Sequence, residues 1–225
     1  MENTVIAPVT GVLLAAGAGT RLGLGPKALL PFRGRTLVEV LAKELLDGGC
    51  RHVVVVLGAD SDGVRRATGM GNTGQGSTEQ DGCRVIDNPD WSSGMASSFR
   101  AGLAAADPGH HVLVALVDQP GLTSAVVARL MAAHRPGRVT AAGYAEPEPT
   151  PTTEPRTAST PNLRRGHPLV IDATLRAAAA EAAEGDAGAR LFLKAHPEFV
   201  DLVDCSDLTD GADLDTKDQL HLLGD

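Results

Sequence analysis

Two cations stand six positions apart on one glycine-rich stretch, Arg21 and Lys27 in Leu14-Ala15-Ala16-Gly17-Ala18-Gly19-Thr20-Arg21-Leu22-Gly23-Leu24-Gly25-Pro26-Lys27. Glycines let backbone N–H groups turn toward a ligand with no Cβ in the way. Arg holds phosphate oxygens with paired donors, and Lys adds a mobile point charge. A short apolar run, then bare backbone, then two cations is an arrangement suited to a nucleoside triphosphate. Far along the chain, Asp118 ends the apolar run His111–Val117, and Asp213 and Asp215 lie in the tail. One or two carboxylates, completed by water and phosphate oxygens, are the usual holders of Mg²⁺. Asp118 with Asp215 or Asp213 supplies that pair if the fold returns the tail to the loop. Nucleotidyl transfer is the chemistry such a set permits, because it needs positioning and charge neutralisation more than acid–base help.

Other readings of the loop compete. A P-loop is excluded, since Lys27 follows Pro26 and precedes Ala28 instead of closing a Gly-Lys-Ser/Thr ending. Gly17-x-Gly19-x-x-x-Gly23 is one residue longer than the dinucleotide fingerprint, which keeps NAD(P)H binding open as a loosened version of that motif. A glycine-rich turn with solvated cations is the plain structural alternative. Gly94 and Ser98 fall about one turn apart where a helix starts near Met95, a place where backbone donors favour an anion or a polar base edge. Spacing alone favours a capped helix with a satisfied Ser. Asp118-Gln119-Pro120 reads more specifically: a carboxylate at the C-terminal end of a buried parallel strand points into the ligand crevice of an open α/β sheet.

The elements that must position these groups follow from local pattern. Thr36-Leu37-Val38-Glu39 is a capping box, and Leu37, Leu41 and Leu45 make an apolar stripe closed by Gly48-Gly49. His52–Leu57 is nearly all valine, the pattern of a parallel strand covered on both faces. Strand, helix and strand at this spacing form a βαβ unit. Further strands are expected at 84–87, 111–117, 139–142 and 169–171. Helices are expected from Met95, at 123–134, at 172–183, after Gly185 with Leu191, Phe192 and Ala195 as the apolar side, and at the C-terminus, capped by Thr216. Residues 68–82 and 145–161 read as poorly ordered surface insertions, the second rich in Pro and Thr.

At 225 residues the chain is expected to be one α/β domain over 1–225. Its formal charge of −8, from 20 Lys and Arg against 28 Asp and Glu, argues against nucleic-acid or anionic-membrane partners. That charge leaves Arg21 and Lys27 to make the nucleotide site locally positive. Cys50, Cys83 and Cys205 are odd in number and lack metal-knuckle spacing, so reduced thiols are expected. With no signal-like segment near Met1 and no membrane-length apolar run, a cytoplasmic protein is expected.

Leu14-Ala15-Ala16-Gly17 through Arg21, with Gly23, Lys27 and Leu30-Pro31, resembles the signature of the MobA/MocA-type nucleotidyltransferases that act on the molybdenum cofactor. The likeness continues over nearly the whole chain outside the two insertions. It implies a Rossmann-like three-layer α/β/α fold with a mostly parallel central sheet, Mg²⁺ as cofactor, and transfer of CMP or GMP to a molybdopterin with release of pyrophosphate. It further implies a molybdenum hydroxylase as recipient of the product. By resemblance Asp118 holds magnesium, Gly94 and Ser98 line the nucleotide site, and Asp213-Leu214-Asp215-Thr216 matches a C-terminal Asp-x-Asp-Thr, with Lys217 where a Pro is usual. Gly166-His167-Pro168 and Gly185-Asp186-x-Gly188 resemble acceptor-side segments, which makes Gly166, His167 and Asp186 acceptor-side candidates. Ala15-Ala16-Gly17, instead of Ala-Gly-Gly, favours CTP. Some similar sequences are described as dye-reducing oxidoreductases, so an NAD(P)H-dependent reductase remains an alternative. So do transfer to another small phosphorylated acceptor and a non-catalytic carrier of the cofactor.

Overall fold

Strand β1 (Val9–Leu14) is buried at every position and lies inside a seven-stranded sheet. The computed structural model describes residues 7–71, 82–146 and 162–224. A two-residue-stranded hairpin, β2 (Pro31–Phe32) with β3 (Arg35–Thr36), follows the first loop. The remaining strands of the large sheet are β4 (His52–Leu57), β5 (Cys83–Asp87), β6 (His111–Leu116), β7 (Val139–Ala145), β8 (Leu163–Ile171) and β9 (Val200–Asp204). Their order is β5-β4-β1-β6-β8-β7-β9, and only β8 runs against its neighbours. The sheet is therefore mostly parallel, and helices flank it in a Rossmann-like arrangement.

Alternation along the strands divides the core. Leu13, Val53, Val55 and Leu113 face one layer, built by α1 (Leu37–Asp47), α2 (Ser61–Thr68) and α4 (Ser124–Ala133). Val12, Val54, Val56 and Val114 face the other, built by α3 (Met95–Ala105), α5 (Arg176–Glu181) and α6 (Arg190–Ala195). The Thr36–Glu39 capping box opens α1 as expected, with the Thr36 N–H donating to Glu39 Oε2 at 3.0 Å. Cys50 and Cys205 are buried, and burial pushes the Cys50 thiol up to about 12. Among the described residues no helix is long and apolar enough to cross a membrane.

Several expectations need correcting. The segment 58–67, given no element from sequence, contains most of α2, and Thr68, expected to open an insertion, ends that helix. Met70 then packs against the first core layer, so 68–71 are structural. Ala145, expected to start the second insertion, closes β7. The inner parts, 72–81 and 147–161, lie outside the described residues. The expected helix 172–183 is a 3-10 turn at Ala173–Leu175 followed by α5, because Asp172 spends its carboxylate capping Thr174. In α6 it is Leu193 that is buried, while Leu191 is 38% exposed. The C-terminal helix is 3-10, Lys217–Leu223, with Thr216 and Gln219 forming its capping box.

Candidate active site

β1 and β6 are parallel neighbours, and the chain turns to opposite sides of the sheet from them: β4 and β5 lie beyond β1, β8 beyond β6. Open α/β sheets bind ligands in the crevice at such a switch point, beyond the strands' C-terminal ends. The glycine loop leaves β1 there and Asp118 follows β6 there. Together they bound a cavity of about 390 Å³, lined by Leu14, Ala16–Arg21, Lys27, Trp91, Ser92, Gly94, Met95, Ser98, Leu116–Asp118, Asp186 and Asp215. That volume suits a small-molecule ligand. Ala15 stands just behind the wall, buried, with its N–H donating to the Val56 carbonyl at 2.9 Å. Gly19 adopts φ +64°, and a Cβ there would lie 2.0 Å from the Gly25 carbonyl oxygen, so the loop closes on itself only with glycine.

The tail reaches this mouth through its backbone. The Leu214 N–H donates to the Asp118 carbonyl at 2.7 Å, and the Leu214 side chain is fully buried. That anchor brings Asp215 over the crevice. Lys27 Nζ then donates to Asp118 Oδ2 at 3.1 Å and to Asp215 Oδ1 at 2.7 Å, partners 91 and 188 positions away in sequence. Arg21 is 3.9 Å from Asp215 and largely exposed. Asp213 turns the other way: its Oδ1 accepts from Gln119 Nε2 at 2.8 Å. The alternative metal ligand of the sequence reading thus braces the Asp118 turn and does not line the cavity.

The electrostatics bear on what the pair can hold. Burial pushes the Asp118 carboxyl above its ordinary value, the Lys27 ammonium offsetting only part of that cost. Burial by itself would lower Lys27, but Asp118 and Asp215 together hold it above its ordinary value. The Lys27 hydrogen bond holds Asp215 below the usual carboxylate range. Asp118 Oδ1 is buried without a hydrogen-bond partner. An orphaned carboxylate oxygen on a residue that lines the cavity, beside a second carboxylate, fits a divalent cation with oxygen ligands. Asp118 and Asp215 are the residues that would hold it.

Gly94 and Ser98 do reach the cavity, but the helix N-terminus is not free. The Met95 N–H donates to Asp186 Oδ1 at 3.3 Å and the Ala96 N–H to the Gly185 carbonyl at 2.8 Å. The loop expected on the acceptor side therefore caps α3 and forms a wall of the same cavity. Ser98 is buried, its hydroxyl accepting from Asn88 Nδ2 at 2.9 Å. Gly166 and His167 lie on β8, outside the cavity lining, and the Tyr144 hydroxyl donates to the His167 carbonyl. Burial lowers the His167 imidazole to about 4, so it is neutral at pH 7. Sequence reasoning missed Trp91, Asn88 and Gln119. The run Asn88-Pro89-Asp90-Trp91 before a helix was visible, but nothing in its spacing marks a site.

Gly94 offers a direct test of this wall. It sits at φ +117°, and a Cβ would meet the Gly185 carbonyl carbon and oxygen at 2.6 Å. Gly94→Ala is expected to cost about 1–3 kcal/mol in a urea titration. It should also weaken nucleotide binding by pushing the Gly185–Asp186 loop off α3.

A switch-point crevice with a glycine loop, two cations and a carboxylate pair defines a nucleotide-handling α/β protein. The chain belongs to the MobA-like NTP transferase domain family, whose model matches residues 11–199. It is 52% identical over 223 residues to the nicotine blue oxidoreductase of Paenarthrobacter nicotinovorans, spanning 99% of this chain and 100% of that protein. It is 48% identical over 52 residues to the molybdenum cofactor guanylyltransferase of Xanthomonas euvesicatoria pv. vesicatoria, a match that covers 23% of this chain and 27% of that one. Among solved structures, Rv0371c from Mycobacterium tuberculosis H37Rv superposes with TM-score 0.73 at 25% identity, covering 96% of this chain and 97% of that chain. Its homologue from Mycobacterium sp. strain JC1 gives 0.71 at 27% identity, covering 96% and 94%.

Proposed function

We propose that the protein is a Mg²⁺-dependent nucleotidyltransferase that moves CMP from CTP to the molybdenum-molybdopterin cofactor and releases pyrophosphate. The observation that carries this reading is the meeting of Asp118 and Asp215 on one ammonium, Lys27, beside the loop Gly17–Arg21. Nucleotidyltransferases of this family use a divalent metal. When bound between the two carboxylates, Mg²⁺ would neutralise phosphate charge and orient the triphosphate. The chain's own groups do the rest. Backbone N–H groups of Gly17–Gly19 face the phosphates, and Arg21 and Lys27 stabilise the leaving pyrophosphate. Gly94 and Ser98 border the nucleoside, with Asn88 fixing the Ser98 hydroxyl. The acceptor phosphate attacks the α-phosphorus in line with the departing pyrophosphate, from the side bordered by Asp186, with Gly166 and His167 further out. Ala15-Ala16-Gly17 supports CTP over GTP. A molybdenum hydroxylase would receive the product.

A second reading has a specific observation behind it, the near full-length likeness to nicotine blue oxidoreductase. In an NAD(P)H-dependent reductase the glycine loop would hold the cofactor's diphosphate, and the carboxylate pair would have no role. A thermal-shift panel of CTP, GTP, ATP and NADPH, each with and without Mg²⁺, separates the two. A ligand at a hundred times its Kd stabilises by about 2.7 kcal/mol. The transferase reading expects the largest shift with CTP and Mg²⁺ together, and pyrophosphate release once molybdopterin is added. Stabilisation by NADPH alone, indifferent to Mg²⁺ and coupled to dye reduction, would replace it with the reductase. Release of pyrophosphate only with a different phosphorylated acceptor would correct the substrate and leave the class standing.

A further inference from the structure

At the opposite end of the sheet from Asp118, three buried side chains converge. His111 opens β6, His134 follows the last turn of α4, and Asp172 follows β8. They meet because β8 runs antiparallel to β6, so its last residues return beside the first residues of β6. One donor atom from each lies within 4.8 Å of the other two. The side chains are 8%, 2% and 4% exposed.

The distances resemble a coordination polyhedron that has not quite closed. His111 Nδ1 is 3.4 Å and His134 Nε2 4.0 Å from Asp172 Oδ2. Donors at zinc distances on a tetrahedron stand about 3.3 Å apart. Of the three edges, the one from His111 to Asp172 already has that length, the one from His134 to Asp172 needs a small contraction, and the His111–His134 edge lies within 4.8 Å.

Hydrogen bonding leaves one of the three donor atoms bare, His134 Nε2, and orients the other two groups. His134 Nδ1 pairs with Thr140 Oγ1 at 2.9 Å, while Nε2 is buried with no hydrogen-bond partner and faces the carboxylate. An imidazole anchored through one nitrogen, with the other bare, is how ligating histidines are held. Asp172 is fixed as firmly: Oδ1 accepts from the Thr174 N–H at 2.8 Å and Oδ2 from the Gly137 N–H at 2.9 Å. His111 Nδ1 accepts from the Ala173 N–H at 3.0 Å, a bond that a bound cation would have to displace. His134 also lines a cavity of about 490 Å³ with Arg51 and Met131.

We propose that His111, His134 and Asp172 form a second metal site, for a zinc-class divalent ion, which ties the ends of β6, α4 and β8 together. Two imidazoles and one carboxylate select zinc or a neighbouring transition ion over magnesium. The site is separate from the Asp118–Asp215 pair and independent of which nucleotide that pair serves. Three protein donors leave the fourth position to water, and the site's place at the sheet end remote from the crevice gives it a structural role.

The test uses the full chain, stripped with chelator and held in excess Mg²⁺ to fill the carboxylate pair. Titration with Co²⁺ should give one equivalent with the visible d–d bands of a tetrahedral site, displaced by one equivalent of Zn²⁺ with a rise in Tm. His134→Gln should abolish the bands. Thr140→Val, which frees Nδ1 without touching a ligand, should weaken Zn²⁺ binding about ten- to a hundredfold. Failure of the unsubstituted protein to take up Co²⁺ or Zn²⁺ under these conditions overturns the proposal, and needs no variant to fold. Uptake that is unchanged in His134→Gln overturns it as well.

Discussion

Replacing Asp118 with Asn is expected to lower kcat by about a thousandfold while leaving the metal-free fold at least as stable as before. The two halves have one cause. The Asp118 carboxylate is held where ionisation is unfavourable, because burial outweighs the help from Lys27. A carboxyl whose folded pKa lies above its unfolded value keeps its proton longer in the native state. Stability then falls as pH rises from the ordinary Asp value, 3.8, and the penalty is fully present above the raised folded value. Asn removes that penalty and keeps an oxygen toward Lys27, which retains Asp215 as partner. It also removes the charge that a divalent ion needs from this side. Pyrophosphate release at saturating CTP reports the first effect. Chemical denaturation at pH 7 and below pH 3.8 reports the second, with the variant's advantage vanishing in acid. Near-normal turnover in Asp118→Asn would remove the proposed mechanism altogether. A carboxylate maintained at a cost to the fold is the pattern of a group kept for function.

The sequence made one half of the crevice legible and hid the other. The glycine loop, Arg21, Lys27 and Asp118 announce themselves because their signals are local: an apolar strand ends, and the next residues lack side chains or carry charge. The arrival of Asp215 could be expected but not read, since it depends on Leu214 sinking beside Asp118 after β9 has joined the far edge of the sheet. β9 itself was concealed. Val200–Asp204 carries acidic residues at 201 and 204, which leaves neither an unbroken apolar run nor a strict alternation. In the structure Asp201 is gripped by Arg135 at 2.8 Å and Arg138 at 2.6 Å, which lets an acidic strand sit against β7. α2 carries a single buried residue, Val64, too little for an apolar stripe. The Asp186 cap on α3 was invisible for a different reason: it is a contact between loops 91 positions apart, and no periodicity encodes it. The same holds for His111, His134 and Asp172, which only the reversed direction of β8 brings together.

Lys27→Met separates the two tasks that this side chain performs. With nucleotide bound, its ammonium lies where it can stabilise the leaving pyrophosphate, and losing it should lower kcat/KM by about a hundredfold or more. Without nucleotide, it is the cation that lets two carboxylates share the mouth of the sheet. Lys27 is 12% exposed, while Asp118 and Asp215 are 27% and 39% exposed. Solvent therefore screens part of the interaction, and the loss in the metal-free protein should be about 1–2 kcal/mol, below the range for a fully buried pair. The sign with pH follows from the shifts. A lysine held above its ordinary value contributes stability that is fully present below 10.5 and lost as pH rises through its folded value. The deficit of Lys27→Met should accordingly be full at pH 7, shrink as acid protonates the two carboxylates, and shrink again at high pH where the native Lys27 would itself discharge. Magnesium supplies the discriminating readout. With no ammonium competing for Asp118 Oδ2 and Asp215 Oδ1, added Mg²⁺ should raise the Tm of Lys27→Met more than that of the unsubstituted protein. A purely structural lysine predicts the opposite, a deficit that Mg²⁺ does not repair. Equal Mg²⁺ shifts in the two proteins would show that the ion does not share these oxygens with Lys27.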